Sequence, residues 1–232
     1  MKKTLLALAV AAALVPSLAM AEAGDIVVRL RATHISADES SSLGATTQAN
    51  VGNIYGNTGA ELRVDSNTIP EIDFSYYITK NIAAELILAT GTRHDVSIKG
   101  LAAGATVTNP NLGSVNLLPP TLTAQWHFNP DQTFDPYVGA GLSYVRAMDN
   151  GLAAQTAGAP VPIRISRNSF GPAIQAGLDY NVPDSKWLLN VDVKKIWFDT
   201  KVEGNFSVTT WTKIDQLDVD PWVVSVGFGR KF

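Results

Sequence analysis

The chain has 232 residues, of which 46% are hydrophobic and 17% charged, with a formal net charge of −3 and no cysteine. That charge fraction lies below the roughly 25% usual for soluble domains, so part of the surface is expected not to face water. Without a basic block a nucleic-acid partner is excluded, and without cysteine so are a disulfide scaffold and any thiolate metal site.

The amino terminus reads as an export address. Lys2 and Lys3 form a positive start, Thr4 to Val15 is apolar, and Pro16 breaks the run. Ala19-Met20-Ala21 then supplies the small-x-small pattern of a cleavage site, so residues 1–21 are expected to be a cleaved signal peptide. Beyond it no run approaches the roughly 18 apolar residues that a membrane-spanning helix needs.

From there the chain reads as strands. Eight stretches alternate apolar and polar residues with period two, near 25–35, 69–79, 82–93, 118–128, 134–146, 168–180, 187–199 and 218–232. In the second, Ile72, Phe74, Tyr76 and Ile78 share one face, and Glu71, Asp73, Ser75 and Tyr77 the other. The connections alternate in length. Residues 36–68, 94–117, 147–167 and 200–217 read as long loops rich in small polar residues, whereas 79–81, 129–133 and 181–186 are short. The first short link suits a hairpin with Asn81 in the left-handed conformation and Ser75 opposite Glu85. Long loops on one rim, with tight turns and both termini on the other, predict an eight-stranded antiparallel transmembrane β-barrel with long extracellular loops and short periplasmic turns. Residues 22–232 are expected to form that one outer-membrane domain.

Alternation alone does not say which face meets water; aromatic spacing does. Phe134 and Tyr144, Phe170 and Tyr180, Trp187 and Trp197, and Trp222 and Phe232 are each ten residues apart on one face. At roughly 3.3 Å per residue and about 45° tilt, that spacing climbs roughly 23 Å, the height of the apolar band between two aromatic girdles. Between them on the same face lie mostly Val, Leu, Ile, Ala and Phe, with Lys195 and Arg230 at the ends, placed to snorkel to the interface. The opposite face carries Arg29, Arg31, Lys194 and Lys231 against Glu71, Asp73, Glu85, Asp179 and Asp192. Such charges are expected to pair inside the barrel, with small residues making room for Tyr137. Eight strands leave an interior just filled by side chains, so no open aqueous pore is expected.

Several segments are similar to the OmpW family of outer-membrane proteins. They are Val27 to Ala32, Asn81-Ile82-Ala83-Ala84-Glu85-Leu86, and Leu118-Pro119-Pro120-Thr121-Leu122 followed by Gln125-Trp126. To these add Asp135-Pro136-Tyr137-Val138-Gly139-Ala140-Gly141, Asp220-Pro221-Trp222-Val223 and the terminal Lys231-Phe232. The resemblance implies an extended wall enclosing a narrow apolar channel, through which small hydrophobic molecules pass and leave sideways through a gap. It also implies that Phe232 is part of the carboxyl-terminal assembly signal, and that the surface serves as a receptor for bacteriocins or phage.

The functional expectation is passive uptake of small hydrophobic molecules across the outer membrane of a Gram-negative cell. Ile87, Ala89 and Val145, with loop residues Val96, Ile98 and Leu101, are the expected channel lining. The alternative is a structural or surface-recognition barrel acting through its loops. Enzymatic chemistry is not expected, since His34, His94 and His127 lie on different strands without the spacing of a zinc site or a nucleophile motif. No cofactor or metal is expected. The expected partners are outer-membrane lipid and lipopolysaccharide and a small hydrophobic solute. Because closure satisfies every strand edge, a monomer is expected.

Overall fold

The computed structural model describes residues 22–89, 92–149, 151–207 and 209–232, so the expected signal peptide lies outside the described residues. In chain order the elements are β1 (Ile26–Ser36), α1 (Leu43–Asn50), β2 (Glu61–Val64), β3 (Asn67–Tyr77), β4 (Ile82–Ala89) and β5 (Thr92–Lys99). There follow β6 (Val107–Asn109), β7 (Asn111–Leu118), β8 (Thr121–His127), β9 (Phe134–Ala147), β10 (Leu152–Thr156) and β11 (Val161–Ile165). The last are β12 (Asn168–Asn181), β13 (Trp187–Ile196), β14 (Asp199–Ser207), β15 (Thr210–Asp218) and β16 (Trp222–Lys231).

Eight of these strands close into an antiparallel barrel in the order β1-β3-β4-β8-β9-β12-β13-β16, with β16 returning to β1. They are the eight that alternation marks. Because successive side chains point to opposite faces, register decides what is inside. Arg29 pairs with Asp73 and Gly229 across the two ladders of β1, which turns all three inward. Arg29, Asp73 and Glu85 are wholly buried, while Leu142 is 66% and Val226 59% exposed. A water-soluble fold does not leave a continuous apolar belt bare; the polar interior and greasy exterior suit hydrocarbon.

The tight turns hold as expected, with one correction. Ser75 lies opposite Glu85, but Asn81 is not left-handed: among the described residues only Asp184 and Asp220 have positive φ without being glycine. Thr79 Oγ1 accepts the N–H groups of Asn81 and Ile82 at 3.3 and 3.1 Å, and Asn81 Nδ2 donates to the His127 carbonyl at 2.7 Å. A hydroxyl-held turn satisfies the backbone without the left-handed residue.

The segments read as long loops are mostly strands. β7, β5 and β2 continue the wall upward from β9 through Leu117 opposite Ala147, and β15-β14-β11-β10-β6 form a second sheet beside them. Together they enclose an apolar cluster including Leu43, Tyr55, Leu62, Ile98, Val202 and Ile214. The eight-residue helix α1 packs on this upper wall. It is held by Asp215, whose carboxylate accepts from Ser41 Oγ at 2.5 Å and from the Ser42 N–H and hydroxyl at 2.9 and 3.1 Å. Gly44 allows the close approach, since a Cβ there would come 2.6 Å from the Thr58 backbone.

Candidate functional site: an apolar shaft above a charged plug

The lower lumen is filled by a network of charged and polar side chains from seven strands, β1, β3, β4, β8, β9, β12 and β13. Arg29 donates to Ser75 Oγ at 2.6 Å and Asp73 Oδ1 at 3.3 Å, and holds Asp179 with Nη2 at 2.5 Å. One turn of the alternation later, Arg31 Nε lies 2.8 Å from Glu71 Oε1 and 2.9 Å from Asp73 Oδ2, and its Nη1 donates to Asn190 Oδ1 at 3.1 Å. Glu85 lies 3.7 and 3.6 Å from the two guanidinium groups and accepts from Gln175 Nε2 at 2.8 Å and Thr123 at 3.2 Å. Asp192 accepts from the Tyr137 hydroxyl at 2.8 Å and from Lys194 at 3.3 Å. Tyr137 fits because it faces Gly177, where a Cβ would collide with its ring. Lower still, His127 contacts Asp135 at 2.7 Å and the Tyr77 hydroxyl at 3.3 Å. All the charged residues expected to face the lumen are buried, including Lys231 at the rim. Sequence reading did not bring Asp135 into the network, because alternation assigns a face but not which residues meet across the lumen.

Above the plug the lumen turns apolar. A lower cavity of about 680 Å³ of empty space is lined by Ile87, Ala89, Leu117, Val145, Phe198 and Val223, and floored by Glu71, Thr121 and Lys194. An upper cavity of about 600 Å³ is lined by Leu62, Val96, Leu152, Ile163, Val202 and Leu217. The two share Val64, Leu117, Val145, Phe198 and Val219 as lining, so they adjoin along what is termed the shaft. Of the expected lining, Ile87, Ala89, Val145 and Val96 reach it. Ile98 and Leu101 do not: Ile98 is packed inside the apolar cluster and Leu101 lies half-buried against it. Much of the upper lining comes from 152–165 and 200–217, where strands of five to nine residues and shifted registers blur the period-two signal.

Among the described residues the ladder beside the shaft is interrupted, and residues 90–91 between its two parts lie outside the described residues. The β4–β8 ladder ends at Ile87 opposite Thr121, and the β5–β7 ladder resumes at Thr92 opposite Leu117. Between them stand Pro119 and Pro120, which have no N–H to donate, and Pro119 lines the lower cavity.

The aromatic pairs lie at two heights. Phe134 sits opposite Tyr180 with ring centroids 5.2 Å apart, and Tyr144 opposite Phe170 at 4.8 Å. Trp187, Trp197, Trp222 and Phe232 are all exposed on the same outer face. Lys195 does not snorkel to water; it is buried, donating to Asp38 at 2.9 Å and the Asp220 carbonyl at 2.6 Å, with its ammonium 5.0 Å from the Trp222 ring centroid. Arg230 lies 5.3 Å from the Trp187 ring and 5.6 Å from that of Phe232.

The histidines do not converge. His34 is on the outer face against Thr68, at 2.9 Å. His94 borders the lower cavity with Nδ1 2.8 Å from the Asp65 carbonyl, so that nitrogen carries the proton. Among the described residues no cluster of His, Asp and Glu is arranged to hold a metal. In the upper wall, burial pushes the Tyr55 phenol from its ordinary 10 to about 12. The hydrogen bond from Lys201, with Arg164 beside it, holds the Glu203 carboxyl below its usual range.

Comparison with known proteins agrees with this architecture. The OmpW family pattern matches residues 22–232. Outer membrane protein W of Escherichia coli is 33% identical over 233 residues, covering 100% of this chain and 99% of that one. The outer-membrane protein y4mB of Sinorhizobium fredii is 38% identical over 190 residues, 82% of this chain and 76% of its own length. The crystal structure of the outer membrane protein OprG from Pseudomonas aeruginosa superposes with a TM-score of 0.73 and 28% identity, covering 93% of this chain and 99% of that one. The chain belongs to the OmpW family and is an outer-membrane β-barrel protein.

Proposed function

We propose that the protein is a passive conduit for small hydrophobic molecules, which descend the apolar shaft and leave sideways into the bilayer at Pro119–Pro120. The observation that supports this reading is a pair of adjoining apolar cavities stacked above a buried ionic plug. Each methylene moved from water into the shaft gains about 0.8 kcal/mol, whereas penetrating the plug would break charge pairs that nothing apolar replaces. Axial exit is therefore barred, and the stretch at Pro119–Pro120, a seam where two backbone N–H donors are missing, is the path of least cost. No catalytic step enters this reading: among the described residues the three histidines lie apart, and His127 is sealed in the plug. A monomer suffices, and cleavage after Ala21 would precede insertion.

The test is uptake of an apolar solute by cells with and without the protein; equal rates would end the proposal. Replacing Pro119 and Pro120 by Val restores two N–H donors, and the resealed seam is expected to slow uptake several-fold. Val145→Trp, which fills the shaft, is expected to do the same while a polar solute is unaffected.

A further inference from the structure

Three arginines stand on the outer surface just above the upper aromatic ring. Arg93, near the start of β5, is exposed between the inward Thr92 and His94. Arg146, two residues above Tyr144 in β9, is exposed and lies opposite both Leu118 of β7 and Asn168 of β12. Arg167 is exposed in the bend before β12, its carbonyl accepting the Ala147 N–H at 2.9 Å. Arg93 is opposite Asn116, two residues from Leu118, so the three follow one another across neighbouring strands. At roughly 4.8 Å between strands, the patch is on the order of 15 Å wide.

These guanidinium groups have no partner among the described residues. Among the described residues none of the three side chains makes an ion pair or cation–π contact. By contrast, Arg63 pairs with Glu39, Arg164 and Lys201 with Glu203, and Lys195 with Asp38. The chain carries more carboxylates than cations, so a shortage of acids does not explain the difference. Two carboxylates share this surface: Asp95, two residues beyond Arg93, and, at the level of Arg93, Asp149, whose carboxylate is engaged by the backbone N–H and side-chain amide of Asn116.

Height identifies the occupant. Tyr144 and Phe170 mark the top of the apolar belt on these strands, with Leu142 and Ile174 bare below them. Arg146, about 5 Å higher, is at the level of lipid headgroups. A guanidinium fork matches phosphate oxygens bidentately and is weakly hydrated, so it loses little on leaving water. The patch also borders the seam at Pro119–Pro120, since Leu118 is the neighbour of Arg146.

We propose that Arg93, Arg146 and Arg167 form a docking site for the phosphorylated headgroup of an outer-leaflet glycolipid, placed over the lateral seam. The site does not depend on what the shaft carries, and its test contains no solute. The full mature chain, folded in detergent, is mixed with bisphosphorylated lipid A, and retained lipid is counted by native mass spectrometry. One lipid is expected to stay bound, chemically dephosphorylated lipid A to bind about tenfold more weakly, and inorganic phosphate at millimolar concentration not to displace it. The triple variant Arg93→Gln, Arg146→Gln, Arg167→Gln is expected to lose about as much, with the corresponding Lys triple in between. Equal retention of the dephosphorylated lipid by the unaltered protein, equal retention by the Gln triple, or displacement by inorganic phosphate would each overturn the proposal. The first and last comparisons need no variant, so a folding failure leaves the test intact.

Discussion

Arg29 touches Asp73, Ser75 and Asp179 from a side chain with no exposed surface, and it is the residue on which the plug most depends. Truncating it leaves the buried Asp179 without its counter-charge and Asp73 with Arg31 alone, so Arg29→Ala is expected to cost about 3–5 kcal/mol, read as a lowered urea midpoint of the protein in vesicles. Tyr55 behaves differently because it lies in the upper wall. The fold favours its neutral phenol, so its contribution is fully present below pH 10 and is lost as pH rises toward about 12. Protease resistance of residues 43–60 should therefore fall over that interval, and Tyr55→Phe should remove this part of the decline. His127 sits on the lumen face as alternation requires, yet its pairing with Asp135 was not legible. The two are brought together only when β8 and β9 lie side by side.

At the scale of elements, the strands of the closed barrel were legible, down to β8 with its seven residues, and the irregular strands of the upper wall were not. β9, β12 and β16 carry an unbroken apolar face, so hydrophobic pattern and pleat agree. β14 and β15 carry register shifts near Val202 and Asn205, and each shift exchanges the faces for the residues that follow. Glycine and small polar residues added to the impression of loops. Helix α1 has no side-chain cap of its own and depends on Asp215, 173 positions along the chain from Ser42, for its attachment. Asp215→Ala removes three hydrogen bonds and is expected to free the helix, costing about 1–3 kcal/mol locally. Faster hydrogen exchange at 42–50, with barrel strands unchanged, is the measurement that checks it.

For the whole molecule the governing fact is the inverted barrel: charge within, hydrocarbon-facing side chains without. Val226 lies mid-belt, 59% exposed, opposite Ala32 and Val191. Val226→Lys is expected to destabilise the protein in vesicles by about 2–4 kcal/mol, where a soluble protein would accept such a surface charge readily. Equal unfolding midpoints for the variant and the unaltered chain would contradict a lipid-facing position. The upper wall obeys the opposite rule, with its apolar residues turned inward, so the same chain switches from membrane to aqueous logic between Tyr144 and Val145's neighbours above.

The sequence by itself determined the number of barrel strands, their faces and the height of the apolar belt, because these follow from periodicities of two and ten that need no knowledge of neighbours. Ile87, Ala89 and Val145 could be placed near the upper lumen for the same reason. Only the tertiary structure decided which charges meet across the lumen, and that the long connections build a wall around a shaft. Those features depend on residues far apart in the chain meeting in one register, and a pattern read along a single strand contains no term for its partner.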